Sequence, residues 1–127
     1  MLFRSDLALK LQKITTGDAK AMSARDGVEM ATIGGARALH LESLIGSLEP
    51  GKRADLIVLA TDSPWAQPLY DVYSHLAYAL KGSDVVTTVV NGRVLMEDRR
   101  LLTLDTAAVA AHAREYRERI AAWRSAQ

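Results

Sequence analysis

The sequence contains no cysteine, which excludes disulfides and thiolate metal sites and fits a reducing, cytoplasmic setting. No excess of one charge exists either. The 16 basic and 15 acidic side chains leave a formal net charge of +1 and are spread along the chain, so there is no electrostatic footprint for nucleic acid or anionic lipid. No apolar run approaches the ~20 residues of a membrane span, and no signal-peptide pattern opens the chain. Neither nucleic acid nor membrane is therefore expected as a partner. Internal repeats and low-complexity tracts are absent, as are HxH, HExxH, GxGxxG and Walker patterns.

What remains is ordinary globular material: 127 residues, 49% hydrophobic and 24% charged. That length suits one domain, which would bury roughly two-thirds of its unfolded surface. The opening "MLFRS" has no N-cap logic, and Leu-Phe-Arg-Ser is how the end of a common sequencing adapter translates in one frame. Residues 1–5 are expected to be a read artefact, with the gene cut at its 5′ side.

Leu7, Leu9, Leu11 and Ile14 interspersed with Lys10, Gln12 and Lys13 predict a helix ending at Thr15-Thr16-Gly17-Asp18. Ser23 with Asp26 three residues on forms a capping-box pattern for the next helix, and a second short helix is expected over 32–41. Inside that second helix Gly34 and Gly35 cost ~1 kcal/mol each relative to Ala, which a close backbone approach to a neighbour would justify. In "IGSLEPGKRADLIVL", Pro50 and Gly51 suit the central positions of a tight turn, with Lys52 and Arg53 left in water. Leu56 to Ala60 then runs apolar without alternation, the pattern of a strand covered on both faces. Leu69, Val72, Tyr73, Leu76 and Leu80 recur at helical spacing, which places the aromatics in the core. "VVTTVVNGRVLM" is a hairpin around Asn91-Gly92. Asp105 caps a last helix whose Val109, Ala113, Tyr116, Ile120 and Trp123 form one stripe, with Glu115 and Arg119 at pairing distance.

The same residues offer little chemistry. His40, His75 and His112 have no second ligand at metal spacing, and a lone histidine on a helix is far more often packed or solvated than ligating. Ser74 and His75 with Asp71 nearby suggest a nucleophile, but adjacent helical residues diverge by about 100° and do not face one another. Solvation explains Glu97, Asp98, Asp62 and Asp55, and Lys52-Arg53 is a wet turn tip before it is an anion site. No self-sufficient catalytic constellation is present.

Four stretches in order, "VEMATIGGARALHL", "IGSLEPGKRADLIVL", "PLYDVYSHLAYALKGSDV" and "TVVNGRVLMED", resemble the carboxy-terminal part of the amidohydrolase superfamily. The likeness is closest to the branch of 5-methylthioadenosine/S-adenosylhomocysteine deaminases and the related chlorohydrolases and guanine-type deaminases. It runs from Leu7 to about Tyr116. Two positions depart from the family pattern: Arg99 and His40 stand where glycine is common.

The resemblance implies a metal-dependent hydrolase of C–N bonds whose divalent metal, usually zinc, is held in a (β/α)₈ barrel by an HxH pair, two further histidines and an aspartate. Metal-activated water would attack a ring carbon of a small-molecule substrate and expel ammonia or another leaving group. All of those ligands precede this chain, and Asp6 falls inside the helix after the aspartate-bearing strand. No catalytic, cofactor-binding or metal residue is therefore assigned, and the chain by itself is expected to be inactive and free of cofactor. The implied fold is an α+β piece: residues 6–42 as terminal helices of the barrel, 43–102 as the carboxy-terminal half of a small composite β-sandwich, and 103–127 as a closing helix. The strand at 56–60 would be buried by amino-terminal strands not present here. The alternative is a stand-alone α+β binding or oligomerisation module; homo-oligomer formation is open under either reading.

Overall fold

The computed structural model describes the backbone of residues 2–125 and the side chains of 5–125, so Met1, Ala126 and Gln127 lie outside the described residues. The described residues form an α+β arrangement of five α-helices and four strands, with short π- and 3₁₀-helical turns between them. Helix α1 (Leu2–Thr16) starts earlier than the sequence periodicity predicts and stops at Gly17, whose φ of +67° only glycine adopts freely. Of the artefact expected at residues 1–5, residues 2–5 are helical in backbone, while Met1 and the side chains of 2–4 lie outside the described residues.

Helix α2 (Ala24–Glu29) opens with the predicted capping box. The Asp26 N–H donates to Ser23 Oγ at 3.2 Å and the Ser23 N–H donates back to Asp26 Oδ2 at 2.8 Å. The second helix expected from 32 onward is instead a continuation. Helical backbone passes from α2 through a π-helical turn at Met30–Gly34 into α3 (Gly35–Ala38). This explains the glycine pair differently from a close neighbour. A Cβ on Gly34 would lie 2.9 Å from the Glu29 carbonyl oxygen, and one on Gly35 would lie 3.2 Å from that of Met30, each five residues back in the widened turn. The close approach between elements occurs at Gly27, where a Cβ would sit 2.7 Å from Leu9 Cδ1.

α3 ends in a Schellman motif. The Leu41 N–H donates to Ala36 O at 2.9 Å and the His40 N–H to Arg37 O at 3.0 Å, with His40 at φ +56° in the position glycine usually fills.

The sheet is antiparallel in the order β1-β2-β3-β4: β1 (Leu56–Leu59), β2 (Val85–Val90), β3 (Arg93–Glu97) and β4 (Arg100–Leu101). Asn91 and Gly92 take φ +51° and +77°, the two positive angles of the predicted two-residue hairpin turn. Asp98 and Arg99 repeat that geometry at +47° and +63° between β3 and β4, with no glycine to ease it. Both departures from the family pattern, His40 and Arg99, therefore fall on left-handed backbone.

The segment after β1 contains α4 (Val72–Ser74), which runs into a second π-helical turn at His75–Ala79; these pack against α1 and α2. The buried apolar residues Leu9, Ala36, Ala77 and Leu80 mark this helical layer. Not all the aromatics expected in the core are there: Tyr70 is 89% and Tyr73 37% exposed, Tyr78 is half-buried against Lys13, and small Ala77 is the buried residue of this turn. Helix α5 (Thr106–Ser125) is capped as predicted, the Ala107 and Ala108 N–H groups donating to Asp105 Oδ1 at 2.9 and 3.0 Å, but all its described side chains are exposed. Arg119 lies over the Tyr116 ring at 5.3 Å instead of pairing with Glu115.

The chain exposes 9507 Å². A compact monomer of 13.9 kDa would expose about 6,700 Å². The excess is about three and a half times the ~800 Å² that a stable interface takes from each partner.

Candidate functional site

The segment 45–59 and its contacts form a hydrogen-bonded polar region. Glu49, Pro50, Gly51 and Lys52 make a type II turn, closed by the Lys52 N–H donating to Glu49 O at 3.2 Å, with Gly51 at φ +90°. Lys52 does not stay in water as expected. Its Nζ folds back over the turn to Ser47 Oγ at 2.6 Å and Glu49 Oε1 at 3.3 Å, leaving the side chain 13% exposed. Hydrogen bonding from the Ser47 hydroxyl first, and from Lys52 second, holds the Glu49 carboxyl below the usual carboxylate range. Arg53 remains exposed.

Asp55 likewise does more than sit in solvent. Its Oδ1 accepts the Asn91 N–H at 2.5 Å while Ala54 O accepts that of Gly92 at 3.0 Å. The loop before β1 thereby grips the hairpin turn between β2 and β3. These groups position strands.

A second polar centre was invisible in the sequence. Asp84, 1% exposed, accepts the Lys81 N–H at 2.7 Å and the Trp65 indole N–H at 3.3 Å to both oxygens, while its own carbonyl accepts the Ala60 N–H at 2.8 Å. It joins the end of β1, the Trp65 turn and the start of β2. The signal that could have found it is the Gly82-Ser83-Asp84 turn before a β-branched run, with a tryptophan needing an acceptor.

The Ser74-His75-Asp71 group resolves as a helix start. Asp71 Oδ1 accepts the Ser74 N–H at 2.7 Å, and His75 Nδ1 lies 3.1 Å from the Asp71 carbonyl oxygen, not its carboxylate. Hydrogen bonding from Ser74, side chain before backbone, keeps Asp71 low in pKa. Asp6 is inside α1 and takes Lys10 Nζ at 2.9 Å. His40 lies in the turn after α3, His75 in the second π-helical turn and His112 in α5, and among the described residues no three His, Cys, Asp or Glu side chains gather to hold a metal. These scattered donors of the described residues do not fit a zinc centre.

Residues 1–95 match the family model described as Amidohydrolase family. The chain belongs to the amidohydrolase family. It is 45% identical over 115 residues to the 5′-deoxyadenosine deaminase of Methanosarcina acetivorans, covering 91% of this chain and 26% of that protein. It is 48% identical over 115 residues to the 5-methylthioadenosine/S-adenosylhomocysteine deaminase of Halobacterium salinarum, with the same coverage. Among solved structures, the zinc-bound adenosine deaminase from Xanthomonas campestris superposes with a TM-score of 0.87 at 38% identity, covering 96% of this chain and 28% of that one. A triazine hydrolase variant gives a TM-score of 0.76 at 28% identity, covering 88% and 25% respectively. The chain thus spans about a quarter of the length of these relatives.

Proposed function

We propose that this chain is the carboxy-terminal portion of a metal-dependent amidohydrolase that deaminates an adenosine-type nucleoside, such as methylthioadenosine, S-adenosylhomocysteine or 5′-deoxyadenosine, or a related aminated heterocycle. Residues 6–42 are the last helices of its barrel, 43–102 the carboxy-terminal half of a composite β domain and 103–127 its closing helix. The parent enzyme is cytoplasmic, takes a small-molecule substrate and uses zinc held by residues outside this chain. This portion contributes no ligand and is inactive alone.

The observation that carries the reading is the combination of near-half identity to nucleoside deaminases with an unfinished sheet. Ile57 and Val58 are neighbours on edge strand β1, so they face opposite sides of the sheet, and they are 39% and 46% exposed. An apolar edge strand open on both faces is an aggregation hazard unless further strands cover it.

The chemistry of this chain is positional. α1 and the α2–α3 helix would hold the ends of adjacent barrel strands in register, and a small misplacement of a reacting group can cost on the order of 100-fold in rate. The test is to recover the sequence upstream of Met1 by long-read sequencing, express the restored protein and measure ammonia release from those three nucleosides, guanine and aminated triazines, with and without chelator. Chelator-sensitive release from a nucleoside supports the reading. No upstream HxH-bearing frame, or no release from any substrate, removes it.

A further inference from the structure

Helix α5 stands apart from the rest of the molecule, its described side chains all exposed, yet it is not uniformly polar. Val109, Ala113, Tyr116, Ile120 and Trp123 are spaced 4, 3, 4 and 3 residues apart, the seam spacing by which one helix seats on another surface. Trp123 is 64% exposed and Tyr116 and Ile120 are each 58% exposed. At 100° per residue, Arg117 and Arg124 flank the stripe on one side and Arg119 and His112 on the other. Arg119 is already folded over the Tyr116 ring, which keeps its charge at the rim of the stripe.

We propose that this stripe docks into an apolar groove rimmed on both sides by carboxylates, supplied by the upstream part of the longer polypeptide. The inference rests on the reading that the chain is the tail of a larger amidohydrolase. Three observations favour that occupant. The relatives are about four times longer than the share of them that this chain matches. The Xanthomonas structure superposes over 96% of this chain, too much to omit a 20-residue helix, so α5 holds this position where the remaining polypeptide is present. The third is charge. A second copy of α5 would set the Arg117 and Arg124 flank against itself or against the Arg119 flank, where Glu115 offsets only part of the repulsion. An anionic membrane fits less well, since Glu115 lies beside the Arg119 flank and the stripe holds only four large apolar side chains.

The chain lacks cysteine, so Ile120→Cys introduces a unique thiol within it. Its alkylation is followed by peptide mass spectrometry in the 127-residue chain and in the upstream-restored protein. Labelling at 120 is expected to slow on the order of tenfold or more in the restored protein. The double variant Arg117→Glu/Arg124→Glu should return it to the fast rate, while Arg114→Glu, on the opposite face, should not. Ala113→Cys gives the same readout if Ile120→Cys lowers the yield. Equal labelling in both proteins overturns the inference, as does protection that grows with protein concentration or appears only with anionic phospholipid vesicles. Absence of any upstream frame overturns both this inference and the function it rests on; a frame with a freely reactive thiol at 120 overturns this one alone.

Discussion

The helical layer and the sheet both carry apolar residues and reach opposite ends. In the first, α1 crosses α2 so closely that Leu9 is fully buried against Gly27, and Ala36, Ala77 and Leu80 close the contacts. In the second, the β-branched strands complete their hydrogen bonds to one another while Ile57, Val58, Val90 and Val94 remain open. Hydrogen bonding is local to the ladder and is met in both regions. Burial needs a second layer, and only the helices have one within this chain. Apolar content therefore does not make a core; the number of layers that can face one another does.

Breaking the helical layer should have the largest effect. Leu9→Ala removes a fully buried side chain and is expected to cost about 2–5 kcal/mol, read from urea unfolding followed by helical circular dichroism. An unchanged midpoint would mean that the sheet, not the helices, carries the stability. The two strained turn residues sharpen the comparison in the other direction. His40→Gly and Arg99→Gly relieve left-handed backbone in one region each, and each should stabilise by about 0.5–1 kcal/mol after the greater entropy of unfolded glycine is counted. A loss at either site would show that the side chain, not the backbone angle, dominates there.

Val58→Thr on the open face should stay within ~0.5 kcal/mol in this chain, as surface substitutions do, and cost clearly more once the sheet is covered in the restored protein. A full core-sized loss in the short chain would contradict the open sheet. The smallest effect expected is on acid stability. Asp26 is held below the usual carboxylate range by the Ser23 hydroxyl first and the Ser23 backbone second. Its folded pKa is thus depressed, so its contribution is present above the unfolded carboxyl pKa and is lost as pH falls through the folded value. Ser23→Ala should flatten the acid limb of a pH titration of α2 helicity; an unaltered limb would remove the capping box from the account.

Much of this was legible in the sequence because local chemistry decides it. The Ser23 box, the Pro50-Gly51 turn, the Asn91-Gly92 hairpin and the Asp105 cap each depend on a few adjacent residues, and each forms as expected. The departures His40 and Arg99 were visible as residues, but their meaning, a positive φ without glycine, needed the backbone. Less was legible where distant segments decide. Periodicity placed Tyr73 inward because it recognises a helical face without knowing what lies opposite, and the π-helical turn at His75–Ala79 shifts that face. The same turn geometry joined two expected helices into one around Gly34-Gly35. Lys52 and Asp55 were assigned to solvent because their partners, Ser47 and Asn91, belong to a loop fold and a distant turn. The absence of a catalytic cluster was argued from spacing alone, and spacing cannot see groups that only tertiary structure assembles.

The contrast between a closed helical layer and an open sheet is tested most directly by native-state hydrogen exchange on the 127-residue chain. The account predicts that amides of α2–α3, residues 24–38, exchange together and slowest, while those of β1 (Leu56–Leu59) and of α5 exchange orders of magnitude faster, both slowing when the upstream sequence is restored. Protection of β1 and α5 equal to that of α2–α3 in the short chain would contradict it.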